Sequence, residues 1–329
     1  MKIFIIGSNS FMGSSLINYI QRSNNANFKL FGCSRGIENY KYFNLYRNKK
    51  NQDFKFYRID LNKNINKLIK ILKIIKPNII FNFAAQSIVE YSWKKPADWF
   101  NTNLISNIQL IEYLKNVDYL DKYIHSSTPE VYGSTNKKIS ENYNYNPSTP
   151  YATSKASIDM LLKNYYENYS FPVVFTRASN IYGPGQRLYK IIPKTIISIM
   201  KNKKIPLHGK GLSKRSFIYS DDVSDAMLKV MKKSKNGEIY HITNEKMYSI
   251  KEVVGMICQV MDKNFVDHVI IEDERPGKDF IYDMSGKKIK HLNWKSKTGI
   301  KKGILETKKW IDENFYYLKN VKLKYDHLK

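Results

Sequence analysis

Short apolar runs alternate along the chain with stretches in which apolar residues recur every three or four positions. Lys2–Ile6, Lys29–Cys33, Phe54–Ile59, Asn78–Phe83, Lys122–Ser126 and Pro172–Thr176 are compact runs, the pattern of strands buried on both faces. Phe11–Gln21, Ile65–Ile75, Ala97–Asn116 and Thr153–Tyr169 carry the helical period between most of them. Strand–helix–strand order repeated in this way predicts an α/β fold, a doubly wound parallel sheet with helices on both faces. Past Asn180 the rhythm changes, and Pro184, Gly185, Pro193, Pro206, Gly209 and Gly211 cut the chain into shorter pieces. Two further units, Phe217–Tyr219 with the helix Asp222–Lys232, and Glu238–Ile242, read as returns to the sheet. The expected organisation is a larger domain from residues 1–180 plus about 216–242, interleaved with a smaller α/β substrate-binding lobe from about 181–215 plus 243–329.

Directly after the first strand stands Gly7-Ser8-Asn9-Ser10-Phe11-Met12-Gly13, and a helix follows. Glycines there let backbone amides approach a pyrophosphate, and the helix N-terminus favours the negative charge. The larger domain is thereby expected to be a Rossmann domain binding NAD or NADP, although the middle glycine of the pattern is replaced by Ser10. The second strand ends Gly32-Cys33-Ser34-Arg35. An acidic residue at that strand end would bind the ribose hydroxyls of NAD, whereas an arginine suits a 2′-phosphate. Ser34 takes the acidic position and Arg35 follows it, which favours NADP. Asp60 and Leu61 end the third strand, where the adenine would lie. Ala84 and Ala85 end the fourth, where small side chains let a cofactor lie against the backbone.

Composition changes this picture little. The formal charge of +26 comes from lysines spread along the whole length, with no dense arm or stripe of the kind that binds nucleic acid, so no nucleic-acid partner is expected. No apolar run reaches the roughly 18–20 residues of a membrane span, and the first strand leaves no room for a leader. Two cysteines cannot build a disulfide framework, and no His/Cys/Asp cluster has metal-ligand spacing. A cytoplasmic protein without a bound metal is expected.

Tyr151 and Lys155 are one helical turn apart, so both side chains point the same way. A lysine ammonium beside a phenol lowers its pKa and makes it a base able to take a hydroxyl proton as hydride leaves. In a chain with 25 tyrosines such a pair alone carries little. Its place does more, because it opens the helix after the fifth strand, downstream of Ser126-Ser127-Thr128. Three further stretches are Phe83-Ala84-Ala85-Gln86-Ser87, Ser126-Ser127-Thr128-Pro129-Glu130-Val131-Tyr132-Gly133 and Pro150-Tyr151-Ala152-Thr153-Ser154-Lys155-Ala156. After them come Ser179-Asn180-Ile181-Tyr182-Gly183-Pro184, Ile192-Pro193, Gly209-Lys210-Gly211 and Arg275-Pro276-Gly277-Lys278-Asp279. In order and spacing, nearly end to end, these stretches resemble the extended short-chain dehydrogenase/reductases, and within them the nucleotide-sugar 4,6-dehydratases of the dTDP-glucose type.

The resemblance implies a lyase whose nicotinamide cofactor ends each cycle unchanged. Tyr151 would deprotonate the hydroxyl on carbon 4 of a nucleoside-diphosphate hexose while hydride leaves that carbon, Lys155 would support it, and Thr128 would orient the hydroxyl. Glu130 would then remove the acidified hydrogen on carbon 5 as water leaves carbon 6, and the hydride would return to carbon 6. Ser126, Tyr151 and Lys155 would also touch the cofactor. Gln86, Ser87, Asn180, Lys190, His208, Arg215 and Arg275 would surround the sugar nucleotide, His208 at a position where the dTDP enzymes carry a Tyr near the base. A lysine in so lysine-rich a chain is by default a solvated charge; the scarcer arginines are better candidates for phosphate. Relatives pair two helices per subunit into a four-helix bundle, so a homodimer through Ala97–Asn116 and Thr153–Tyr169 is expected. The departure is Pro129, where the dTDP-glucose enzymes have an Asp as general acid. It keeps sibling chemistries open, an NDP-sugar epimerase or a UDP-glucuronate decarboxylase. A non-catalytic NAD(P)-binding regulatory protein is the rival of another class, opposed by the intact Thr128, Tyr151 and Lys155.

Overall fold

The computed structural model describes residues 1–23, 27–38, 42–48, 54–134, 137–273 and 282–325. In chain order the first half runs β1 Lys2–Ile6, α1 Phe11–Arg22, β2 Lys29–Ser34, β3 Phe54–Arg58, α2 Leu61–Ile75, β4 Ile79–Asn82, α3 Val89–Lys94, α4 Pro96–Phe100, α5 Ser106–Leu114, β5 Lys122–Ser126, α6 Pro150–Tyr169 and β6 Val173–Ala178. The second half runs β7 Asn180–Tyr182, α7 Ile191–Met200, β8 Ile205–His208, β9 Lys214–Tyr219, α8 Ser220–Lys233, β10 Ile239–Ile242, β11 Met247–Ser249, α9 Ile250–Val260, α10 Phe265–His268, β12 Val269–Glu272, α11 Lys287–Lys290 and α12 Ile300–Leu318.

The unbroken apolar runs form the centre of the large sheet. Every residue of β4 is buried, as are four of the five in β1, because helices cover both faces. The sheet has seven strands in the order β10-β6-β5-β4-β1-β2-β3. All are parallel, with registers such as Ile3↔Leu30 and Ile3↔Ile79 about β1. The order reverses at β1 and β4, so a crevice opens at the carboxyl ends of those strands. One face is packed by α1 and α8 through Leu16, Ile17, Val223 and Met227. The other is packed by α2, α5 and α6 through Leu68, Leu72, Leu110, Ile158 and Leu162. A third apolar cluster, with Ile196, Val254, Ile257, Ile304 and Trp310, joins α7, α9 and α12.

Two elements differ from expectation. Phe217–Tyr219 does not return to the large sheet. It belongs to β9, which pairs with β7 and β11 in a three-stranded sheet beside the crevice. Only its helix, α8, goes back to the large sheet, where it packs on α1, because its apolar stripe matches that uncovered face. Glu238–Ile242 does rejoin, as β10 beside β6. The stretch Ala97–Asn116 is helical, but a π-helical turn at Asn101–Ile105 interrupts it. Such turns gather at functional sites, and this one aims Asn103 into the protein.

Candidate active site

The glycine turn after β1 is shaped by close approach. Gly7 sits at φ +83°, and a Cβ there would lie 2.7 Å from the backbone nitrogen of Ala84. A Cβ on Gly13 would lie 2.3 Å from the carbonyl oxygen of Gly7, so α1 presses on the turn with no room for a side chain. Ser10, in place of the middle glycine, caps α1, its Oγ accepting a hydrogen bond from the Gly13 amide at 3.1 Å. The first turn of α1 carries no acidic residue, which leaves its positive end available to an anion. Gly7, Ser10, Phe11, Met12, Ser34, Arg35, Asp60, Leu61, Ala84, Ala85 and Ser126 line one cleft of about 2520 Å³; Gly13 packs beneath it. The cradle that a Cβ would fill and the bare helix end fit a dinucleotide.

Asn9, which the sequence did not single out, holds the loop after β2. Its amide donates to Ser34 Oγ at 2.9 Å, and its Nδ2 donates to the carbonyls of Gly36 and Ile37 at 3.2 Å each. Arg58 of β3 donates through Nε to the Arg35 carbonyl at 3.4 Å, so two guanidinium groups serve this strand end. Asp60 caps α2 by accepting from the Asn62 amide at 3.0 Å, a structural task beside its place in the cleft.

On the chemical side, Thr149 caps α6 by accepting from the Ala152 amide at 3.1 Å, and Pro150 stands at the first helical position. Tyr151 and Lys155 therefore project from the first turns of α6, both nearly buried at the cleft floor. Thr128 caps the short turn Pro129–Tyr132, accepting from the Glu130 amide at 3.3 Å, and Glu130 lines the cleft beside it. Burial, and next the charge of Glu130, hold the Tyr151 phenol well above its ordinary value, against a hydrogen bond from the Thr128 hydroxyl that works the other way.

The expected lowering of this phenol by Lys155 is not what the structure shows. The Lys155 ammonium is turned to His125, Nζ to Nε2 3.0 Å, and His125 is kept neutral chiefly by burial and then by the charges of Lys155 and Arg177. Burial also brings Lys155 itself down to about 8, partly offset by Asp159. Asp159, fully buried one further turn along α6, accepts from Arg177 at 3.0 Å and from Ser127 at 2.5 Å, with His125 Nε2 at 3.4 Å. The Arg177 guanidinium lies 4.5 Å from the Tyr132 ring centre and 5.4 Å from that of Tyr145. This buried network escaped sequence reading, although Asp159 continues the Tyr151–Lys155 spacing by four. Asn103 is a second omission. It accepts from the Gln86 amide at 2.8 Å, donates to the Gln86 carbonyl at 3.0 Å, and also donates to Ser154 Oγ at 2.9 Å. The strand end carrying Gln86 is thus tied to α6.

Gln86, Ser87, Asn180, Lys190, His208 and Arg215 line the same cleft as the cofactor cradle and Tyr151. Lys190 is exposed on the cleft wall, yet the surrounding walls desolvate it and lower its pKa, against the pull of the Glu130 charge. His208 Nδ1 is 3.2 Å from Glu272, and the Arg215 guanidinium is 4.9 Å from the Tyr282 ring centre. Arg275 lies outside the described residues. Among the described residues no group of His, Cys, Asp and Glu could hold a metal, and no helix is long and apolar enough to cross a membrane.

A seven-stranded doubly wound sheet with a glycine cradle, and Tyr151 and Lys155 one turn apart at its carboxyl edge, define an extended short-chain dehydrogenase/reductase. The model of the GDP-mannose 4,6-dehydratase family matches residues 4–307, and the chain belongs to that family of nucleotide-sugar 4,6-dehydratases. The dTDP-D-glucose 4,6-dehydratase of Homo sapiens is 38% identical over 280 residues, covering 82% of this chain and 78% of the human protein. The crystal structure of dTDP-glucose 4,6-dehydratase from Bacillus anthracis in complex with NAD superimposes with a TM-score of 0.86 at 29% identity, over 96% of this chain and 98% of that one. UDP-glucuronic acid 4-epimerase from Bacillus cereus, in complex with UDP-glucuronic acid and NAD, also reaches 0.86, at 26% identity over 95% of this chain and 99% of that one.

Proposed function

We propose that this chain converts a nucleoside-diphosphate hexose into the 4-keto-6-deoxy sugar by loss of one water, as a 4,6-dehydratase. The observation that carries the reading is the convergence of Thr128, Glu130 and Tyr151 on one cleft that also holds the glycine cradle. Bound in that cradle, a nicotinamide cofactor supplies the hydride acceptor for the oxidation and the donor for the last reduction. Tyr151 takes the proton of the carbon 4 hydroxyl, which Thr128 orients. Glu130 takes the carbon 5 proton once carbon 4 is a ketone. Pro129 has no proton to give, so the leaving hydroxyl draws on protonated Glu130 or on a bound water. Asn180, Lys190, Arg215 and Arg275 serve the diphosphate, with His208 toward the base. A screen of dTDP-, UDP-, CDP- and GDP-hexoses by mass spectrometry tests the reading. Loss of 18 mass units (one water) from at least one of them is expected, and turnover of none refutes it.

The cofactor reading favours NADP. Ser34 replaces an acidic residue, and Arg35 and Arg58 meet at the strand ends where a 2′-phosphate would lie. Calorimetry should find NADP bound more tightly than NAD by wild type, and Arg35→Ala should weaken NADP by about tenfold while leaving NAD nearly unchanged. Tighter NAD binding by wild type overturns the preference. A homodimer is supported by Ile105, Met160, Tyr166 and Tyr169, large apolar side chains left exposed along the helices that end at Leu114 and Tyr169.

A further inference from the structure

Beyond α12 the chain turns back, the Val321 amide donating to the Leu318 carbonyl at 3.0 Å, and runs along the third apolar cluster, where Val321 and Leu323 pack. It then reaches the cleft, which Leu323, Lys324 and Tyr325 line together with the cofactor and sugar residues. Tyr325 stands between the two walls. Its ring meets Tyr91 of α3 edge-on at 5.1 Å and 73°, and Tyr189, just before α7, at 5.5 Å and 76°. The Tyr91 hydroxyl donates to the Tyr325 carbonyl, and the Tyr325 hydroxyl donates to Gln86 Oε1, each at 3.4 Å. Burial raises the Tyr325 phenol, while the Arg35 charge acts in the opposite direction.

We infer that Tyr325 is a substrate-positioning wall of the hexose site, carried by a strap that ties the substrate lobe to the cofactor domain and seals the cleft over the sugar. Tyr91 and Tyr189 come from opposite sides of the cleft, and Tyr325 packs against both; edge-on aromatic pairs of this kind are directional enough to hold a ring in place. The partner of its hydroxyl, Gln86, is itself locked by Asn103 to the helix that bears Tyr151. A reaction that oxidises, eliminates and reduces on one sugar must keep the ketone and the reduced cofactor together until the last step. A wall that excludes water and blocks early release serves that need.

The inference rests on the dehydratase reading and is tested so that the two fail separately. Tyr325→Ala is expected to raise the KM for the sugar nucleotide by about tenfold. It should also let the 4-keto hexose escape before water is lost, leaving reduced cofactor behind. Tyr325→Phe, which keeps the ring, should regain most of the lost affinity. In wild type, hydrogen exchange of the peptide containing 319–325 should slow when dTDP-glucose, or whichever sugar nucleotide the screen selects, is added. An unchanged KM with no leakage, or a rise in kcat/KM in Tyr325→Ala, overturns the wall, as does exchange that ignores the ligand. If wild type dehydrates no sugar nucleotide yet a bound one protects the strap, the reaction reading has failed and the wall stands.

Discussion

Tyr151→Phe keeps its fold and its cofactor affinity and loses turnover by about 10²- to 10⁴-fold, the range for removal of a general base. The side chain is nearly buried, so the phenylalanine ring fills the same space at the start of α6. What disappears is the oxygen that meets Thr128. Because burial and Glu130 hold this phenol above its usual value, its basic form is scarce at neutral pH, and wild-type turnover should climb as pH rises through the neutral range. The Lys155 proton sets the other limb. It is bound below about 8 and lost above it, and with it goes the ammonium that hydrogen-bonds to His125 Nε2. Lys155→Ala, which takes the ammonium away from the buried His125–Asp159–Arg177 cluster, should lower turnover and no longer fall on the alkaline side. The checks are pH profiles of kcat for the three proteins, with thermal melts and cofactor titrations as controls. Near-normal turnover of Tyr151→Phe at saturating substrate would remove Tyr151 from the chemistry.

Local signals made the frame of this protein readable. β1 and β4 show as unbroken apolar runs because helices cover both their faces, and α1 follows a glycine turn whose two tight contacts admit no side chain. The Tyr151 and Lys155 pair was legible because both stand on one helix. What stayed hidden depends on partners distant in sequence. β9 has a sheet-like pattern, but only its neighbours β7 and β11 decide which sheet it joins. Asp159 and Arg177 look like ordinary charges until α6 and β6 bury them together with His125. The direction of Lys155 follows from that burial, and spacing along a helix says nothing of it. Tyr325 reaches Gln86 across 239 positions, a contact no local period encodes.

Glu130→Gln should oxidise carbon 4 and stall there. Glu130 carries the only carboxylate in the loop between Thr128 and Gly133, next to the phenol, where its charge is felt by both Tyr151 and Lys190. An amide keeps the shape and hydrogen bonds of the loop but cannot accept the carbon 5 proton. Rapid mixing with substrate should therefore show reduced-cofactor absorbance that builds up and stays, deuterium exchange at carbon 5 slowed by about 10²-fold or more, and almost no product. Pro129→Asp examines the other half of the elimination. The turn Pro129–Tyr132 is capped by Thr128, and Pro129 is buried at its first position, so the substitution gives up the ring's rigidity and buries a carboxyl, at a cost of about 1–3 kcal/mol. An aspartic acid there adds a proton donor beside Glu130, and kcat should hold or rise. A large fall in kcat with the melting temperature preserved would show that the proline shapes the loop for chemistry in which no side-chain acid takes part. Wild type that exchanges the carbon 5 hydrogen but never releases water from carbon 6 would sink the dehydratase reading. Such a result would hand this cleft to an epimerase acting through that carbon.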